Sequence, residues 1–244
     1  IGLVGSEMCI RDRGYIASGI LAMYIILCKW GIKIHQPSWI SIKKTLKESF
    51  DVFLNQIFPT LYNAFSVLLL GVFCGPVANG LFDAGTKLVD ISQQFLKIIS
   101  RTFFPFLSRK IDKHTLFSKI YMLFTLIVTL GLIFFAPFLI PVFFSEEFSE
   151  SIKVLRLMAI SGVFLTMSNI YGTNYLIIIG RERSLRNLTM YASLLGFVIA
   201  IPLIYYGGYM GAVAIIVFVR MLLGVGSYLL AYNCKKNICK KNLL

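Results

Sequence analysis

The sequence predicts an all-α, polytopic membrane bundle of about seven transmembrane helices. Three observations predict it. Hydrophobic residues make up 57% of the 244-residue chain and charged residues only 14%. Soluble globular chains usually carry about 45–50% apolar and about 25% charged residues. The mean hydropathy is +0.79. Long stretches carry no charge at all. The cations that remain gather in alternate loops. The formal net charge is +13, from 24 Lys+Arg against 11 Asp+Glu. In a soluble protein that excess would suggest nucleic acid. In a chain this apolar it suggests cations held at one membrane face, and no nucleic-acid partner is expected.

A bilayer core of about 30 Å needs about 20 apolar residues in a helix. Lipid-facing backbone must satisfy its own hydrogen bonds, so such runs become helices. Nothing is charged between Arg13 and Lys29, Asp51 and Asp83, Lys119 and Glu146, Arg156 and Arg181, or Arg186 and Arg220. The last stretch exceeds one span, and Gly207-Gly208 divides it. The helices read in order are residues 14–30, 50–73, 76–107, 117–144, 152–179, 188–206 and 209–232.

Orientation follows from Lys and Arg. Lys29, Lys33, Lys43, Lys44 and Lys47 follow the first helix, and no cation follows the second. Arg109, Lys110, Lys113 and Lys119 follow the third. Glu146, Glu147 and Glu150 follow the fourth, with no cation before Lys153. Arg181, Arg183 and Arg186 follow the fifth; Gly207-Gly208 follows the sixth; Lys235, Lys236, Lys240 and Lys241 end the chain. The alternation predicts a multi-pass membrane protein with its C-terminus cytoplasmic.

Residues 1–13 break the pattern, because Arg11 and Arg13 would lie outside. They fit neither a signal peptide nor a span and are read as a non-native junction. Residues 31–49 form a cytoplasmic interfacial linker. Within it Trp39, Ile40, Ile42 and Leu46 alternate with Lys43, Lys44 and Lys47, as in a helix lying among anionic headgroups. Residues 234–244 form a basic cytoplasmic tail. Five scattered cysteines have neither disulfide nor metal spacing. No enzyme signature, metal site or cofactor motif is found.

A charge at the bilayer centre costs about 2.5–3.5 kcal/mol on insertion scales, so polar residues inside spans mark a cavity or a partner. The third helix carries Asp83, Lys87, Asp90, Gln94, Lys97 and Arg101 at spacings of 4, 3, 4, 3 and 4. That spacing puts all six on one face. Asp83, Lys87 and Asp90 can neutralise one another, whereas Lys97 and Arg101 have no acid at helical spacing. Arg220 stands alone in the last helix. Asn55, Pro59, Asn63 and Ser66 make a polar strip on the second helix, and Thr166, Asn169 and Thr173 make one on the fifth. Such strips serve as interhelical glue or as a substrate path.

LLLGVFCGPVANGLFDAGTKL, FFPFLSRK, PVFFSEEFSESIKVLRLMA and IIIGRERSLRN occur in this order between the helices. From residue 14 onward the chain resembles the C-terminal half of an oligosaccharide flippase of the Wzx type, in the multidrug/oligosaccharidyl-lipid/polysaccharide exporter superfamily. Two departures stand out. Phe82-Asp83 takes the place of Tyr and a neutral residue, and Ser145 that of Gly. The resemblance implies two six-helix lobes. Residues 14–30 would be the last helix of the N-terminal lobe and 50–233 the C-terminal six-helix lobe. It implies a substrate, an undecaprenyl-diphosphate-linked glycan flipped by alternating access for O-antigen or lipopolysaccharide synthesis. It further implies membrane lipid as a partner, H+ or Na+ as coupling ion, and polysaccharide-assembly proteins. Lys87, Lys97, Arg101 and Arg220, with Asn55, Asn63 and Asn169, would bind substrate; Asp90 and Asp83 would couple it to the ion. A drug or cation antiporter of the same superfamily, a peptidoglycan-precursor flippase and a truncated chain without activity are the other readings.

Overall fold

In the computed structural model the described residues are 13–14, 16–29 and 38–241. The predicted junction, much of the linker and the end of the tail lie outside them. Regular structure among the described residues is entirely helical. The chain divides into two units, residues 1–47 and 48–244. The first holds an apolar helix, Ile16–Lys29 (α1), wound wide over Ile25–Lys29. It also holds the start of the next helix, where the Ser41 N–H donates to Ser38 Oγ at 3.2 Å. Trp39, Ile40 and Leu46 are exposed there.

The second unit is the bundle. Trp39–Arg109 is helical except at Gly75, whose φ of 80° and ψ of 179° no L side chain adopts freely. The break makes two helices, α2 (residues 39–74) and α3 (residues 76–109). His114–Phe144 is α4. Ser151–Ile177 is α5, regular to Met167 and wide-wound over Ser168–Ile177. Glu182–Lys241 breaks at Gly208 (φ 56°, ψ −139°), giving α6 (residues 182–207) and α7 (residues 209–241). Among the described residues, four helical stretches are long and apolar enough to cross a membrane. The glycine breaks divide the first and the last of these, so six crossings are available to the bundle. The sequence placed breaks at the same two glycine sites.

Helices in lipid gain little from apolar burial and associate through close packing and hydrogen bonds. Leu70, Val89, Leu155, Ile204, Ile216 and Val219 fill the centre, one or more from each of α2, α3, α5, α6 and α7. Polar contacts clip neighbours together. Ser151 Oγ donates to the Leu81 carbonyl at 2.8 Å, and Tyr121 OH to the Leu96 carbonyl at 2.7 Å. Asn174 Nδ2 donates to Ser100 Oγ at 2.8 Å. Outward positions are apolar, as on Phe134, Phe138 and Phe143 of α4.

The loops sort by end. Cys74 Sγ lies 3.9 Å from the Ile204 carbonyl, and Tyr209 OH donates to Glu150 Oε2 at 2.9 Å. The turns at 75, 145–150 and 207–208, which carry no Lys or Arg, therefore share one end of the bundle. Ile111, Asp112, Ile179 and Lys235 line a common concavity at the other end, where the basic turns meet.

Candidate functional site: a charged cavity inside the bundle

A cavity of about 360 Å3 opens between five helices. Tyr62 and Asn63 reach it from α2, and Asp90, Gln93, Gln94 and Lys97 from α3. The wide-wound part of α5 supplies Ser168, Asn169 and Thr173; α6 supplies Thr189; α7 supplies Arg220. Each helix contributes polar groups to a wall that its apolar flanks would not predict. Wide winding is rare and concentrates at functional positions. Here it carries three of the wall residues.

Arg220 is the buried charge of the site, 7% exposed. Its guanidinium donates to Ser161 Oγ at 3.0 Å, and Ser161 Oγ in turn donates to the Met158 carbonyl at 2.7 Å. The buried Tyr62 hydroxyl also interacts with Arg220. These neutral partners fix the guanidinium without cancelling its charge. Among the charged groups acting on Asp90, and among those acting on Lys97, Arg220 is the strongest. The wall therefore holds two cations and one acid among its described residues.

Of the residues singled out from the sequence, Pro59, Asn63, Asp90, Gln94, Lys97, Asn169, Thr173 and Arg220 come together here. Asn63 Nδ2 also donates to the Pro59 carbonyl at 2.9 Å. Asp83, Lys87 and Arg101 do not line the cavity, and they are exposed, as Asp90, Gln94 and Lys97 on its wall are too. They sit further along the same face of α3, close enough that Asp83 and Lys87 act on Asp90 and Arg101 acts on Lys97. The side chain of Asn55 lies outside the described residues.

Tyr62, Gln93, Ser168 and Thr189 on the wall, and Ser161 behind it, escaped the sequence reading. A signal existed for Gln93. Thr86, Asp90, Gln93, Lys97 and Ser100 also run at spacings of 4, 3, 4 and 3. This second stripe is the buried edge of the first, because Thr86, Gln93 and Ser100 are all buried.

Fold and cavity together define a polytopic helical membrane protein with a polar, charged cavity, in which Arg220 is buried while Asp90, Gln94 and Lys97 are exposed. Comparison with known proteins narrows the class. Residues 13–111 match a family described as polysaccharide biosynthesis protein. A proposed O-antigen transporter of Shigella dysenteriae is 28% identical over 219 residues, 87% of this chain and 55% of that protein. A proposed O-antigen transporter of Escherichia coli strain K12 is 23% identical over 206 residues, 80% of this chain and 49% of that protein. The chain spans about half the length of these curated relatives. No solved structure matches it. These matches bear out the resemblance to Wzx-type polysaccharide flippases. The relatives are named as transporters, not enzymes.

Proposed function

We propose that this chain is the C-terminal half of a transporter that moves an undecaprenyl-diphosphate-linked oligosaccharide across the cytoplasmic membrane. The observation that carries the reading is the cavity with Arg220 and Lys97 on its wall, inside a bundle whose outer face is apolar. A glycan diphosphate cannot cross hydrocarbon, while its lipid tail can stay there. A chamber that offers cations to the diphosphate and hydrogen bonds to the glycan removes the barrier the head group meets. Arg220 is suited to a phosphate because its planar fork can donate two parallel hydrogen bonds. Lys97 adds a mobile second cation. Lys87 and Arg101, outside the chamber, extend the positive field along α3. Asp90 shares the wall with both cations and would exchange a proton or Na+ as cargo enters. Asp83 acts on it from further along the helix. Rocking of this bundle against the other half of the protein would expose the chamber to each side in turn.

Two cations to one acid favour anionic over cationic cargo, which separates this reading from a drug or cation antiporter. The test is complementation. In the full-length protein, Arg220→Met and Lys97→Met should each lower surface polysaccharide about tenfold or more, as expected when an ionic contact to cargo is lost. Lipid-linked repeat units should accumulate inside. Normal surface polysaccharide in both variants, at normal membrane levels, would refute the assignment.

A further inference from the structure

Two buried polar atoms on the cavity wall have no partner among the described residues: Gln93 Oε1 on α3 and Asn169 Nδ2 on the wide-wound part of α5. Gln93 is 4% exposed. An unpaired polar atom in such a place carries an uncompensated desolvation cost unless something fills it. One atom is an acceptor and the other a donor. We infer that Gln93 and Asn169 form a neutral subsite that reads hydroxyl groups of the transported sugar, apart from the cations that hold its anionic end. The inference rests on the transport reading above.

The argument is one of donor and acceptor inventory. An ionised diphosphate offers acceptors only, so with the amides oriented as they are it can meet Asn169 Nδ2 but not Gln93 Oε1. A hydroxyl offers both a donor and an acceptor, so the hydroxyls of a sugar can satisfy either amide. The slot for Gln93 is built by an absent side chain. A Cβ at Gly162 would lie 2.5 Å from Gln93 Nε2, so α5 leaves bare backbone where the amide packs. The charged set and the amide set therefore divide the cargo: Arg220 and Lys97 for the end common to every lipid diphosphate, Gln93 and Asn169 for the part that differs. Sites built to hydrogen-bond a hydroxyl discriminate strongly against analogues that lack it, because their own polar groups are then left unpaired.

The test uses the full-length protein in two strains deleted for their own flippase, whose lipid-linked repeat units differ in one sugar and its deoxy counterpart. Export is read as surface polysaccharide over retained lipid-linked unit. The parent should favour the hydroxylated unit, and Gln93→Leu and Asn169→Leu should each reduce that preference by about tenfold. Gly162→Ala retains both amides but displaces the end of Gln93, and should shift the preference in the same direction. Membrane level and thermal midpoint are measured for each variant. If a leucine variant fails to fold, Gly162→Ala and Gln93→Met decide the matter. An unchanged preference in folded variants, with export of both units abolished by Arg220→Met, would overturn the subsite and leave the transport reading standing. A cavity that holds only water at these amides gives this same result. Export unaffected even by Arg220→Met would instead overturn the transport reading.

Discussion

At position 145 a serine holds a backbone conformation, φ 87° and ψ 164°, that is essentially reserved for glycine. It caps α4, where its N–H donates to the Pro141 carbonyl at 3.1 Å. Ser145→Gly should relieve the strain. The gain is about 1–3 kcal/mol, less roughly 0.5–1 kcal/mol for the extra freedom glycine has when unfolded. Thermal unfolding in detergent should show a rise of about 2–4 °C for a net gain near 1 kcal/mol; a fall would contradict the strain. The oddity of Ser145 was visible in the sequence, as the departure from glycine at that place, but its cause is a dihedral angle and needed coordinates. Arg220 shows the same division. Its isolation in an apolar helix was legible. Its partner Ser161 lies 59 residues away and obeys no local pattern. Gln93 lies one position off the longest polar stripe on α3, on its buried edge, which a single sequence does not distinguish from the wet face.

Between α2 and α3, and between α6 and α7, a single glycine does what a loop does elsewhere. A Cβ at Gly75 would meet nothing within 4 Å, so replacing it tests backbone conformation alone. Gly75→Ala should cost about 1–3 kcal/mol. Gly131, in the middle of α4, likewise has open space around it but no positive φ. Gly131→Ala should therefore stabilise, by about 0.5–1 kcal/mol through helix propensity. The pair, measured side by side by thermal unfolding, should move in opposite directions. Equal shifts would mean that space and not conformation governs both sites. These breaks were readable because Gly-Pro and Gly-Gly interrupt long charge-free runs. The wide winding at Ser168–Ile177 was not readable: its residues, SNIYGTNYLI, include no proline and nothing that forbids ordinary helix.

Over the whole bundle, the turns without cations gather at one end and the basic turns at the other. That separation is what the loop alternation required. Cysteine labelling in intact cells assigns the side. With the native cysteines replaced by serine, Ser149→Cys should react with an impermeant maleimide from outside, and Lys110→Cys only after permeabilisation. The reverse pattern would invert the topology. Much of this architecture was legible because a membrane permits few solutions to a long apolar run. The cavity was half legible, since one stripe can be seen on one helix but its meeting with four others cannot. The wide-wound wall of that cavity has a consequence for motion. A coil with surplus length per turn can hand one residue to the ordinary helix beside it, and each residue handed over turns Ser168, Asn169 and Thr173 by about 100°. The chamber could thus change its lining by a screw-like slip within α5 while the other pillars stand still. Amide hydrogen exchange should then run faster at residues 168–177 than at 151–167, and equal protection would show the coil to be locked.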